Sequence, residues 1–137
     1  MIEVHSAVEP TAATIGAQRP VLVALIGTAR ARRAVINRVV ESLGDDLVVV
    51  LVKDDQTDPH DLHRELSAHL EAGRSVLVDA THDRREARRL LLDIAARFFA
   101  VTLAVACVGD SGREITAISK LPGEGWQALV IARAVSR

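Results

Sequence analysis

The sequence predicts an α/β fold of three layers, in which a doubly wound, mostly parallel sheet of about five strands lies between helices. Three observations support this prediction. Short apolar runs rich in β-branched residues recur along the chain, amphipathic helical patterns separate them, and capping residues or glycines mark several helix ends. Strands that are apolar on both faces are typical of parallel sheets, and the β-α-β order implies right-handed crossovers.

The composition favours one cytoplasmic domain with an aliphatic core. Of the 137 residues, 49% are hydrophobic but only 2% are aromatic. The 17 basic and 18 acidic residues give a net charge of -1, so no overall basic field draws the chain to nucleic acid or to a membrane. Cys107 is the single cysteine, which excludes a disulfide framework and a thiolate metal site. We find no secretory signal and no apolar run of membrane length, and the arginine-rich composition favours a bacterial or phage source.

Residues 1–20 form an N-terminal arm or edge element, and residues 21–137 form a single domain in this interpretation. The first 20 residues show no sustained period and are interrupted by Pro10, Gly16 and Pro20. The apolar runs begin directly afterwards. The predicted strands are Val21–Ile26, Leu47–Val52, Ser75–Val78, Val101–Val108 and, with the weakest pattern, Ala128–Val135.

Three helices are predicted between these strands. Gly44 marks the end of the first, Asp58 and Pro59 provide the N-cap and first position of the second, and Asp83 is the expected N-cap of the third. Apolar residues at spacings of three and four define the face that each helix buries. These faces comprise Val35, Ile36, Val39, Val40 and Leu43; then Leu62, Leu66 and Leu70; then Ala87, Leu90, Leu91, Ile94, Ala95 and Phe98.

The stretch after the first strand has the outline of a phosphate-binding loop. In the motif G-x-x-x-x-G-K-[ST], glycines let the backbone approach the phosphates, lysine reaches the outer phosphates and the hydroxyl holds magnesium. With Gly27 as the first glycine, this chain has Arg32, Arg33 and Ala34 at the other three positions. Thr28 offers a hydroxyl, but at the wrong end of the loop.

These residues allow two interpretations of the loop. In one, the backbone from Gly27 to Arg33 bends around an anion at the edge of a central parallel strand, and the arginines strengthen the attraction. In the other, the segment is an ordinary crossover with solvated arginines. Because Ala34 cannot ligate a metal, we do not expect the loop to hold Mg²⁺ in either case.

The stretch Leu70–Val108 resembles the polynucleotide kinase and zeta-toxin-like branch of P-loop kinases. In that branch a helix ends in "aG.sV", a strand reads "vvDaTn", and an arginine-rich helix follows, much as in "EAGRSVLVDATHDRREARR" here. The segment "VKDDQTD" is similar to an acidic segment of the same family. The resemblance extends over about Val21–Val108 and is most specific at "VLVDAT".

This resemblance implies a P-loop kinase-like architecture with ATP as the possible cofactor. It implies that Asp79 is a carboxylate near the metal, and that Asp55, or its neighbour Asp54, binds or deprotonates the acceptor hydroxyl. The candidate cofactor-binding residues are Gly27, Thr28, Arg32 and Arg33. No residue is assigned as a metal ligand.

The sequence also departs from the family pattern. His82 replaces the asparagine of "DATN", and the segment after the fourth strand lacks the arginines of the family's lid. The arginines of the third helix are interpreted as a solvated basic surface, with a polynucleotide backbone as the alternative partner. This surface comprises Arg84, Arg85, Arg88 and Arg89.

Three functional hypotheses follow. The leading one is a degenerate P-loop kinase-like protein, a pseudoenzyme that binds nucleotide or phosphate with little or no phosphoryl transfer. The second is a structural or interaction subunit, as a homo-oligomer or within a larger assembly such as a phage particle. The third is an active ATP-dependent polynucleotide or nucleoside kinase with an atypical loop. Nucleic acid is a weakly supported partner, and no membrane partner is expected.

Overall fold

A computed structural model describes residues 2–4, 19–44, 47–52, 58–80, 84–109 and 121–133. Within these ranges the chain forms six strands and three helices. The elements are β1 (Ile2–Val4), β2 (Val21–Ile26), α1 (Ala29–Leu43), β3 (Val48–Leu51), α2 (Pro59–Glu71), β4 (Val76–Asp79), α3 (Arg85–Arg97), β5 (Val101–Val108) and β6 (Ala128–Arg133).

The strands form one sheet in the order β1-β6-β5-β2-β4-β3. The five strands β2 to β6 are parallel to one another, and β1 pairs antiparallel with β6. The prediction of a mostly parallel sheet of about five strands is therefore confirmed. Strand β2 lies between β4 and β5, so every side chain of Val21–Ile26 is buried.

Helices cover both faces of the sheet, which confirms the three-layer prediction. On one face, Val35 and Val39 of α1 pack in a cluster with Val23 of β2. On the other face, Leu66 of α2 and Ile94 of α3 pack in a cluster with Ala24 of the same strand. The alternation of residues along β2 thus supplies both cores, because successive side chains of a strand point to opposite faces.

The edge strand β3 differs from the prediction that the strands are buried on both faces. Val49 is 45% exposed and Leu51 is 61% exposed, whereas Val50 between them is buried. Strand β3 pairs only with β4 among the described residues, and α1 contacts β2, β5 and β6 instead. One face of β3 is therefore left open to solvent.

Helix α2 begins as predicted, but α3 does not. The Asp58 carboxylate accepts a hydrogen bond from the His60 amide at 2.8 Å and caps α2. Helix α3 has Arg84 at its N-cap position, without a capping side-chain bond, and Asp83 lies outside the described residues. The predicted buried face of α3 is also wrong at one position, because Ala87 is exposed and its neighbour Arg88 is buried.

The turn between α3 and β5 was not anticipated, because no glycine marks it. Phe99 adopts a φ of 54° there and is 76% exposed. The Ala100 amide donates to the carbonyl of Ala95 at 2.9 Å and the Phe99 amide to that of Ala96 at 3.4 Å. This pair of bonds is a Schellman motif, which places its left-handed residue at Phe99.

Candidate functional site

The candidate site lies at the carboxyl edge of the central strands. Strands β2 and β4 are neighbours, but the chain leaves β2 for a helix on one face and leaves β4 for a helix on the other. In open α/β sheets ligands bind where neighbouring strands diverge in this way, so we call the region beyond the ends of β2 and β4 the crevice. The residues that border the crevice come from the start of α1 and from the end of β4.

The connection from β2 to α1 is shorter than the phosphate-loop interpretation requires. Gly27 and Thr28 alone separate the last residue of β2 from Ala29, the first residue of α1. The Thr28 hydroxyl accepts a hydrogen bond from the Ala31 amide at 3.2 Å, and the Thr28 carbonyl accepts one from the Arg32 amide at 2.9 Å. The expected bend from Gly27 to Arg33 is therefore wrong, because Thr28 caps the helix and starts it early.

Gly27 is required by the neighbouring strand. Its φ is 139°, and a Cβ built on it would lie 2.5 Å from the carbonyl oxygen of Cys107 in β5. A side chain there would be both conformationally strained and in collision with backbone. The packing of β2 against β5 accounts for this glycine without any phosphate ligand.

Arg32 and Asp79 form an ion pair across the crevice. Arg32 Nη1 donates to Asp79 Oδ1 at 2.9 Å, and the two side chains are 11% and 20% exposed. Arg32 Nε also points to the Thr28 carbonyl at 3.4 Å. The first turn of α1 is thereby tied to the end of β4. Both residues were predicted to belong to the site, but their direct pairing was not.

The remaining predicted site residues include two at the start of α1 and others that the structure does not describe. Thr28 and Arg33 are exposed at the start of α1, as is Arg30. Asp55, its neighbour Asp54 and His82 lie outside the described residues. Strand β3, which precedes the two aspartates, remains bound to β4 at its end, where the Val52 amide donates to the Asp79 carbonyl at 3.0 Å.

No group of three or more metal-ligating side chains occurs within the described ranges. The one cysteine lies behind the crevice and is buried against Gly27. Burial raises the pKa of the Cys107 thiol to about 12. Burial therefore favours the protonated thiol near neutral pH, whereas the thiolate is the nucleophilic form.

A second ion pair holds α3 to the segment that precedes β6. Arg88 Nε donates to Glu124 Oε1 at 3.0 Å, and Arg88 Nη2 donates to Glu124 Oε2 at 2.7 Å. Their side chains are 3% and 8% exposed. Burial acts to raise the pKa of Glu124, but hydrogen bonds from Arg88 and Trp126, with the charges of Arg88 and Arg85, outweigh it and lower that pKa.

This pair corrects the predicted basic surface of α3. Arg84, Arg85 and Arg89 are exposed, but Arg88 belongs to the interior because Glu124 supplies a bidentate partner. Trp126 Nε1 donates to the same carboxylate at 3.1 Å, so the indole is part of this network. The basic surface thus keeps three of its four arginines, one at the N-cap of α3 and two within the helix.

Comparisons with known proteins identify the fold. No family model matches the sequence, and no curated protein matches it. The de novo designed PLOOP2X3_50 fold protein, a solution NMR structure, has a TM-score of 0.60 at 14% identity, over 84% of this chain and 81% of that chain. The APS kinase CysC of Mycobacterium tuberculosis, in complex with AMPPNP and APS, has a TM-score of 0.47 at 18% identity, over 77% of this chain and 70% of that chain.

The protein thus belongs to the α/β class with a P-loop-like fold, as the likeness to the designed protein shows. At 14% identity this likeness concerns the fold alone. The kinase branch suggested by "VLVDAT" stays a prediction. Within the described ranges, none of the helices has the length and apolar character needed to cross a membrane.

Proposed function

We propose that the protein is a degenerate P-loop kinase-like protein that binds nucleotide or phosphate at the start of α1 and transfers little or no phosphate. The observation that carries this proposal is the Arg32–Asp79 ion pair in the crevice between β2 and β4. The groups that can bind an anion remain available at the start of α1, whereas the Asp79 carboxylate is already paired with the guanidinium of Arg32.

Binding is supported by the exposed first turn of α1. The amides of Ala29 and Arg30 have no hydrogen-bond partner among the described residues, and they lie at the positive end of the helix dipole. The exposed side chains of Arg30 and Arg33 add two positive charges near this end of the helix. Guanidinium groups suit phosphate because they can donate two parallel hydrogen bonds to it.

Transfer is disfavoured by three features of the same crevice. Phosphoryl transfer depends on positioning and on a metal ion that neutralises the developing charge. Asp79 is bound to Arg32, Ala34 supplies no hydroxyl, and the two-residue connection cannot wrap around a phosphate from several sides. The resemblance implies a metal near Asp79. In this proposal the guanidinium of Arg32 takes the place of that metal.

Calorimetric titration with ATP, in Mg²⁺ and in EDTA, tests the proposal. We expect binding in EDTA to be at least as tight as in Mg²⁺, and Arg33→Ala to weaken it several-fold. Arg38→Ala is the matched control, because Arg38 is an exposed arginine of the same helix away from its first turn. Absence of binding, equal effects of the two substitutions, or ATP turnover that requires Asp79 would each contradict the proposal.

The open edge strand favours a second candidate, an interaction subunit. Strand β3 carries Val49 and Leu51 exposed on an edge that no described strand covers. Exposed apolar edge strands are sites of association, and most proteins protect them with charge or proline. Light scattering over a range of concentrations tests this candidate. A monomer at every concentration contradicts self-association through this edge.

A further inference from the structure

We propose that Asp79 determines which anions enter the site, as an internal carboxylate that a ligand must displace from Arg32. The site then selects doubly charged phosphoryl groups free of metal, as in pyrophosphate or the terminal phosphate of a nucleotide. This inference rests on the proposed function and specifies its ligand class.

The geometry of the pair supports displacement. A single hydrogen bond, from Arg32 Nη1 to Asp79 Oδ1, joins the two side chains, and Arg32 Nη2 has no hydrogen-bond partner among the described residues. Within the described part of the chain the guanidinium therefore has unused donor capacity, which a phosphate can take up with two parallel bonds. An incoming phosphoryl group thus offers Arg32 a better partner than Asp79 does.

The position of the pair makes exchange possible without opening the core. The side chains of Arg32 and Asp79 are 11% and 20% exposed, and the crevice in which they lie opens beyond the strand ends. The first turn of α1 is held by its Thr28 cap whether or not the pair is formed. Release of the Arg32 side chain therefore leaves the backbone of the site in place.

Asp79 competes with any incoming anion for Arg32, and this competition sets the selectivity of the site among anions. Asp79 is a carboxylate held beside Arg32 at high effective concentration, so acetate or another single carboxylate gains nothing by replacing it. A phosphoryl dianion gains a second charge and a second hydrogen bond. A phosphate already bound to Mg²⁺ has lost much of this advantage, because the metal takes its charge.

Calorimetry with pyrophosphate, and separately with acetate, tests the inference in EDTA. If the closed pair leaves Arg32 open in about a tenth of the molecules, Asp79→Asn raises pyrophosphate affinity about tenfold. We expect the same substitution to reduce the ratio of pyrophosphate affinity to acetate affinity. Asp61→Asn is the matched control, since Asp61 pairs with Arg64 at 3.1 Å on the exposed surface of α2. We expect it to change neither affinity.

The double variant Arg32→Ala/Asp79→Asn separates displacement from a simple loss of negative charge. If Asp79 acts through Arg32, this variant loses the gain in pyrophosphate affinity. Circular dichroism confirms that each variant is folded, and Asp79→Ser serves as a second release variant if Asp79→Asn is not.

The outcomes also separate the inference from the proposed function. Wild-type binding that is weakened by Arg33→Ala but unchanged by Asp79→Asn overturns the inference and leaves the proposed function standing. Tight binding by Asp79→Asn with none by the native chain contradicts both, because Asp79 then excludes phosphoryl groups instead of selecting among anions. A gain in pyrophosphate affinity that persists in Arg32→Ala/Asp79→Asn overturns the inference. So does the absence of pyrophosphate binding by every variant.

Discussion

Two arginine–carboxylate pairs of this protein each tie a helix to a neighbouring element, yet their surroundings differ. Arg88 and Glu124 share two hydrogen bonds, are 3% and 8% exposed, and receive a further donor from Trp126. Arg32 and Asp79 share one hydrogen bond and are 11% and 20% exposed at the rim of a crevice. The first pair is enclosed and saturated, whereas the second has access to solvent and, among the described residues, donors without a partner. The same chemistry therefore serves as a fixed support in one region and as an exchangeable contact in the other.

The largest expected effect comes from the enclosed pair. Glu124→Gln removes the carboxylate charge that faces the buried Arg88 guanidinium, and we expect it to lower the free energy of unfolding by about 3 kcal/mol. Urea denaturation measures this loss. Glu41→Gln, at an exposed position of α1, is the control and is expected to change stability by less than about 0.5 kcal/mol. A loss at Glu124 no larger than that of the control would show that the enclosed pair is not a support.

Gly27 gives an effect of similar size and shows that the backbone beside the exchangeable pair is rigid. Gly27→Ala adds a Cβ 2.5 Å from the Cys107 carbonyl at a φ of 139°. We expect a loss of about 3 kcal/mol from strain and collision together. Gly44→Ala is the matched control, because its φ is 101° but nothing lies within 4 Å of the added Cβ. Equal losses at the two glycines would contradict a close approach of β2 to β5.

The exchangeable pair should have the smallest effect on stability. Asp79→Asn removes a partly exposed charge pair but keeps a hydrogen-bond acceptor, so we expect a loss of about 1 kcal/mol or less. Urea denaturation on the same scale as Glu124→Gln gives the comparison directly. A loss as large as that of Glu124→Gln would mean that both pairs are structural, and the distinction between the two regions would fail.

Much of the fold could be predicted because its signals are local. Val21–Ile26 and Val101–Val108 are apolar at nearly every position and are buried on both faces, so their bounds were predicted as the structure has them. Asp58 and Pro59 gave the start of α2 for the same reason, since a cap and a fixed φ act within one turn. The sequence also predicted that β2 is a central parallel strand.

The features that were missed depend on distant residues or on a competing local signal. Arg88 is buried because of Glu124, which lies 36 positions further along the chain, and its spacing alone placed it on the solvated face. Arg32 and Asp79 are separated by 47 positions. The early start of α1 was detectable, because Thr28 is a good N-cap residue, but alignment to a longer loop motif concealed it.

The most direct test of the account is NMR of the arginine side chains, with the Nε resonances of Arg32 and Arg88 followed during titration with pyrophosphate. Both Nε–H groups donate a hydrogen bond in the free protein, that of Arg88 to Glu124 at 3.0 Å and that of Arg32 to the Thr28 carbonyl at 3.4 Å, so each resonance reports on its own site. We expect the Arg32 resonance to shift to saturation while the Arg88 resonance stays in place. An unchanged Arg32 resonance at a pyrophosphate concentration that saturates binding, or equal shifts of both resonances, would contradict an exchangeable pair at the crevice.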